Sequence, residues 1–322
     1  MADVYFTWFG PPQQMNKTVE GVGAARPDLF GLLRTAKARF PGGRPPPNFT
    51  LCCLKKFEAE FRSQLPDYIS TLALEDAFPA TSHLQSIILT KPDLTNLDLS
   101  VDCILRTIIG VRGTGYANSA LPYPMLAFAK DLWSLYTVWK RGGYHIDAGC
   151  FPDAKYGGTV NLPEPTRFGV PVVSGEGKVP LHAKVPFPGG GKPFCATLAG
   201  GWAGMNGAVA NMTMGVTVSP QKSSHMNRQV DVWLLRAPRG DAAAETALRF
   251  YIQGWFAMRD SNSLIAESYR QLVVSAVATG ITHAGPSGCS SPSGWKDHLI
   301  EANGGDVPSL GLRKVGFQSH AH

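Results

Sequence analysis

Asp131 and Asp147 are the residues of this 322-residue chain whose type and setting most demand a chemical explanation. Asp131 lies in a stretch from Met125 to Lys140 in which Phe128, Leu132, Leu135, Tyr136, Val138 and Trp139 leave almost no polar face. A carboxylate in such surroundings is costly unless it is hydrogen-bonded or faces a ligand. Asp147 closes the short run Tyr144-His145-Ile146-Asp147, which reads as a strand. Ligands of α/β sheets bind beyond the carboxyl ends of strands. A carboxylate there can hold a divalent cation that neutralises a diphosphate leaving group. His145 stands two residues earlier, so it points to the same side of the strand. It could ligate that metal, hold a neighbouring carboxylate, or be a satisfied core histidine. Taken singly, Asp131 also reads as a charge at the solvent edge of a helix and Asp147 as a turn residue.

The elements that must position these groups follow from periodicity and punctuation. The helix over Met125 to Lys140, with Pro124 at its start, ends at Gly142-Gly143, where a left-handed cap is wanted. Val4 to Phe9 is a β-branched and aromatic run that breaks at Gly10-Pro11-Pro12, predicting a buried first strand. Thr50 to Leu54 predicts a second strand, and Phe57, Phe61 and Leu65 predict an amphipathic helix over Lys55 to Leu65. A further helix is expected around Val101 to Ile109, a strand over Val230 to Leu235, helices over Ala242 to Met258 and Ser263 to Val277, and a strand near Leu312 to Phe317. Strands alternating with helices give the α/β class.

Composition agrees. The chain is 44% hydrophobic and only 17% charged, against about 25% charged for an ordinary soluble domain, so it can bury a large core. Glycine (35) and proline (25) are too abundant for a helical bundle and call for long ordered loops. The net charge of +6 does not gather into a basic run, so no nucleic-acid partner is expected, while phosphate-bearing small molecules suit it. The six cysteines, at 52, 53, 103, 150, 195 and 289, form no C-x-x-C pair and read as buried thiols. No integral membrane segment and no secretory signal are visible, which makes the cytoplasm the default location and the sequons at Asn16, Asn48 and Asn211 coincidental.

Asp131, Gly142, Gly143 and Asp147 resemble in register the pattern D-x-x-R-x-x-x-L-x-x-x-G-G-x-Y-x-D-x-D, with Val138 at its leucine. That pattern belongs to the glycosyltransferases with a DXD sugar-binding region, the group of the clostridial glucosylating toxins and the Och-type mannosyltransferases. Phe6-Thr7-Trp8-Phe9-Gly10 looks like that family's first strand, whose tryptophan stacks on the nucleotide base, and Thr279 to Pro286 resembles its late T-G-P turn. The resemblance covers three short islands between residues 4 and 286. It departs from the family at Ser134, where the pattern has arginine, at His145, where it has tyrosine, and at Gly149, where it has the final aspartate. Loss of the arginine removes a five-donor fork from the donor site.

The resemblance implies one GT-A-like, Rossmann-type nucleotide-sugar-binding domain over residues 1–322, with a helical insertion at about 11–48 and a loop-rich excursion at about 152–193. It implies transfer of a hexose from a nucleoside diphosphate sugar, such as a UDP-sugar, to a hydroxyl of a glycan or protein acceptor, with retention. Asp147 and Asp131 would be catalytic. Trp8, Phe9, Gly10, Ser134, Gly142, Gly143, His145 and Asn206 would bind the donor, with Asn211 an alternative to Asn206. Asp147 and His145 would hold Mn²⁺ or Mg²⁺, weakly because Gly149 supplies no carboxylate, unless Asp153 or the tail compensates. In the alternative, lysines and arginines neutralise the diphosphate without a metal. In the tail that begins at Lys314, Ser319 or His320 could close over the diphosphate. A sugar-nucleotide-binding protein that has lost transfer, on the same fold, is the second reading. An unrelated nucleotide-binding enzyme is the third, distinguished by whether Asp131 and Asp147 face one site. No phosphate-binding P-loop, dinucleotide fingerprint, zinc-protease helix or serine elbow occurs.

Overall fold

Five strands, β1 (Val4–Thr7), β2 (Phe49–Cys53), β3 (Ile69–Ala73), β4 (Gly143–Ile146) and β8 (Leu234–Ala237), form the central sheet in the order β3-β2-β1-β4-β8. These coordinates belong to a computed structural model that describes residues 2–14, 33–34, 47–78, 89–109, 123–152, 160–174, 228–230, 232–260, 272–273, 276–277, 279–281, 298–302 and 306–314. β3, β2, β1 and β4 run parallel, and β8 is antiparallel to β4. The fold is α/β with a mainly parallel sheet, as expected. Parallel strands are covered on both faces, which explains their continuous apolar sequences.

One face carries three helices, α2 (Leu97–Ile109), α3 (Tyr123–Arg141) and α4 (Ala242–Asp260). α3 packs against α2 and α4 and on β4 and β8, so it is walled in by apolar partners. That is why it is apolar nearly all round: Phe128, Leu132, Trp133, Leu135, Tyr136 and Val138 are all buried. α4 begins where Asp241 caps it, its Oδ1 accepting from the amides of Ala243 (2.8 Å) and Ala244 (3.0 Å). The other face is covered by α1 (Lys55–Gln64), through Phe61 with Leu65 beyond its end, and by the small sheet β10-β11-β5. That sheet joins β5 (Cys150–Pro152), β10 (Asp306–Val307) and β11 (Leu312–Lys314). A third sheet, in the order β7-β6-β9, holds β6 (Val170–Ser174), β7 (Arg228–Val230) and β9 (Leu299–Ala302).

Several sequence expectations change. The strand expected over Val230 to Leu235 is two strands in different sheets, β7 and β8. The first strand ends at Thr7 rather than Phe9. Thr279 to Ile281, expected in a turn, are helical and buried, and Gly280 fits closely against α4, where a Cβ would lie 2.3 Å from the Ala243 carbonyl oxygen. Most of the insertion at 11–48 and all of 175–193 lie outside the described residues. Among the described residues, no helix is long and apolar enough to cross a membrane.

Candidate functional site

α3 and β4 are joined by Gly142 and Gly143, with φ of 78° and 87°. The left-handed backbone ends the helix, as its Gly142 N–H donates to the Val138 carbonyl (3.0 Å), and turns the chain straight into β4. Helix and strand then run back against each other. Four helical residues rise about 6 Å and two strand residues about 6.6 Å, so one turn of α3 matches one same-face step of β4. Ser134 therefore meets His145, and Lys130, a turn earlier, meets Asp147, two residues on.

His145 is 1% exposed. Its Nε2 lies 2.7 Å from Thr7 Oγ1 at the end of β1 and 3.3 Å from Ser134 Oγ. The Ser134 hydroxyl donates to the Lys130 carbonyl at 2.7 Å, one turn back along α3. Burial, reinforced by the Lys130 charge, pushes the His145 pKa down to about 3 and keeps the ring neutral.

Above this pair the chemistry is ionic. The Lys130 ammonium lies 2.5 Å from Asp147 Oδ1 and 3.2 Å from Asp131 Oδ1. Lys314, at the end of β11, reaches Asp147 Oδ2 at 3.0 Å. β11 is brought there by its antiparallel pairing with β5, which sets Lys314 opposite Cys150. The Asp147 amide donates to the Trp233 carbonyl (2.8 Å), and its carbonyl accepts from the Cys150 amide (2.9 Å), which fixes the turn carrying the carboxylate. Burial alone would raise the Asp147 pKa, but the two ammonium groups outweigh it and hold it well below the usual carboxylate range. Burial raises the Asp131 pKa to about 6, because Asp147 repels it and the Lys130 attraction is only partial compensation. Burial opposes the charge on Lys130, yet Asp147 and Asp131 more than restore it, so its pKa lies above the ordinary lysine value.

Asp131 and Asp147, expected at one site, are thus brought to a single ammonium group. Trp8 leaves the sheet at the same carboxyl edge, since β1 and β4 are parallel and end at Thr7 and Ile146. It packs against the core on the α1 side, and its indole N–H donates to the Pro11 carbonyl at 3.2 Å. Four other expected features lie within the core or at the far end of β4. Phe9 is buried in the helix-side core. Gly142 and Gly143 sit at the opposite end of β4 from Asp147, where close packing requires them: a Cβ on Gly143 would lie 2.3 Å from the Asp3 carbonyl oxygen and one on Gly142 2.8 Å from the Arg239 nitrogen. Ser134 is buried and supports His145 from beneath. His145 is a buried histidine whose Nε2 is taken by Thr7 and Ser134. Gly10 is buried just beyond β1. Asn206, Asn211, Asp153, Ser319 and His320 lie outside the described residues.

The donor set does not suit a hard divalent cation. Such an ion needs several oxygen ligands, yet each Asp147 oxygen faces a lysine and Asp131 shares one of them. Among the described residues no three His, Cys, Asp or Glu side chains come together as a metal site. Sequence reasoning missed Lys130. Only the packing of α3 on β4, which sets Ser134 against His145, brings the residue one turn earlier to the residue two beyond His145.

The fold and the site define an α/β protein with a lysine-bridged pair of carboxylates at the carboxyl edge of a parallel sheet. No protein-family model matches the chain, and no curated protein does. Among solved structures, the PaToxG glycosyltransferase aligns with 92% of this chain and 83% of its own, at 9% identity and a TM-score of 0.41, a likeness too slight to bear on function.

Proposed function

We propose that the protein is a glycosyltransferase that moves a hexose from a nucleoside diphosphate sugar to an acceptor hydroxyl at the edge bearing Asp131 and Asp147. The single observation that supports this reading most is the meeting of these two carboxylates, from a helix and a strand end, on Lys130. They are the two acidic residues that match the glycosyltransferase pattern in register, and the hairpin of α3 and β4 carries both to the carboxyl edge of the sheet.

In this reading the bond from the anomeric carbon to the diphosphate breaks and the acceptor oxygen bonds that carbon on the same side. The acceptor proton leaves to the departing diphosphate. Asp131 accepts hydrogen bonds from sugar hydroxyls, Asp147 opposes the positive charge that develops on the sugar, and the ammonium groups of Lys130 and Lys314 meet the negative charge that grows on the leaving oxygen. Trp8 stacks on the base. A divalent cation, were one bound, would supply the same neutralisation of the diphosphate, but the pairing of the carboxylates leaves that work to the lysines.

One observation favours binding without transfer. Asp147 is already neutralised on both oxygens, and a neutralised carboxylate stabilises a cationic sugar less. A panel of sugar nucleotides, read by released diphosphate with and without an acceptor mixture, separates the two. Turnover of one donor that Asp147→Asn removes supports transfer; saturable binding of a donor with no release supports the binding protein.

A further inference from the structure

We propose that Lys130 is a resident counter-ion that stands where a divalent cation would bridge Asp131 and Asp147, so that the edge binds neither Mn²⁺ nor Mg²⁺ while this side chain is present. The place of the cation is set by the two carboxylates, and the Lys130 nitrogen lies within ion-pair distance of both. A metal at about 2.0–2.6 Å from the same oxygens would fall on that nitrogen. Retreat to the other oxygen of Asp147 is closed by Lys314. The charges agree: two ammonium groups and two carboxylates sum to zero, and a divalent ion added to this partly buried cluster would leave two uncompensated positive charges. The Lys130 backbone is also held in register, because Ser134 bonds to the Lys130 carbonyl and touches His145, whose Nε2 is anchored to Thr7. Lys130 keeps 21% of its side chain exposed, so the cluster lies at the edge rather than wholly inside the core.

The metal half of this proposal stands on geometry alone. That this edge meets a sugar diphosphate rests on the function proposed above. Removing the amine without removing the carboxylates should convert the edge into a metal site. The test measures Mn²⁺ binding by electron paramagnetic resonance on the whole chain for the wild type, Lys130→Ala, Lys130→Met and Lys130→Ala with Asp147→Asn, each checked for folding by thermal unfolding. The expected result is no bound Mn²⁺ in the wild type at millimolar metal, one Mn²⁺ per chain in a folded Lys130 variant, and none in the double variant. A wild-type protein that binds one Mn²⁺ and loses it on Asp147→Asn overturns the proposal, as does a folded Lys130 variant that binds none. The wild-type measurement decides even where both Lys130 variants unfold. Donor hydrolysis in chelator is a separate arm. Activity abolished by chelation and restored by Mn²⁺ overturns the resident counter-ion, whereas absence of hydrolysis with every donor overturns the transferase reading and leaves the metal result standing.

Discussion

Ser134 Oγ meets His145 Nε2 at 3.3 Å, one helical turn away from the contact of Lys130 with Asp147. The neutral contact is buried and the ionic one is at the edge, so the first holds α3 and β4 in the register on which the second depends. Each layer can be perturbed separately, and the expected results differ.

Asp147→Asn removes the partner of two lysines. Taking one member from a largely buried ion pair costs about 3–5 kcal/mol, and partial exposure of Lys130 and Lys314 places the expected loss near the lower figure. The variant should fold at low temperature with a reduced urea midpoint and release no diphosphate from a donor that the wild type uses. Full activity in the folded variant would remove Asp147 from the chemistry.

The acid response should reveal two opposing groups. Between pH 6.5 and about 3 the unfolded chain protonates its histidine while folded His145 stays neutral, so this group makes stability fall as pH falls. Between pH 3.8 and about 6 folded Asp131 keeps a proton that the unfolded chain has released, so this group makes stability fall as pH rises. Each contributes up to about 1.4 kcal/mol per pH unit, with opposite sign. Urea denaturation across this window should therefore show His145→Gln losing stability with rising pH relative to the wild type, and Asp131→Asn losing it with falling pH. The same slope in all three proteins would contradict the burial of both groups.

Gly143→Ala should fail as a fold variant. A methyl group 2.3 Å from the Asp3 carbonyl oxygen, on a backbone with φ of 87°, must displace β4 or the start of β1 and costs about 3 kcal/mol or more. Any folded fraction should bind sugar nucleotide with wild-type affinity, because this glycine is at the far end of the strand. Weakened binding at unchanged stability would return Gly143 to the donor site.

Trp8→Ala tests the base. Stacking of a base on an aromatic ring contributes about 1–3 kcal/mol, so donor affinity should fall by roughly fivefold to 150-fold. Titration of the matching nucleoside diphosphate, followed by calorimetry, measures it. Unchanged affinity would assign Trp8 to packing alone.

Local signals carried much of the fold. Phe57, Phe61 and Leu65 marked α1, the apolar run marked α3, and Gly142-Gly143 fixed the turn into β4, because each pattern is set within a few residues. The two carboxylates were legible for the same reason, as was the shared face of His145 and Asp147. What was not legible depended on distant pairing. β11 meets β5 across the sequence, so no local pattern showed Lys314 arriving at Asp147. Lys130 was hidden differently: next to Asp131 on a helix, it looks like a solvated charge, and only the packing of α3 on β4 turns it inward. The resembled pattern makes the glycines a donor feature, while their backbone angles and the nearby Asp3 and Arg239 give them a steric reason of their own.

Thr7 and His145, hydrogen-bonded across adjacent parallel strands, are 138 residues apart in the chain. Bringing such distant segments together spends loop entropy before any contact at the edge can compensate for it, and topologies rich in pairings of this kind fold slowly. α3, Gly142-Gly143 and β4 can find one another early, being contiguous, but β1 must still slot between β2 and β4. The polar edge is therefore expected to mature late in refolding, with His145 accessible to protons until β1 docks. A destabilised variant would then lose its polar edge before it loses the helix-strand hairpin that carries the two carboxylates.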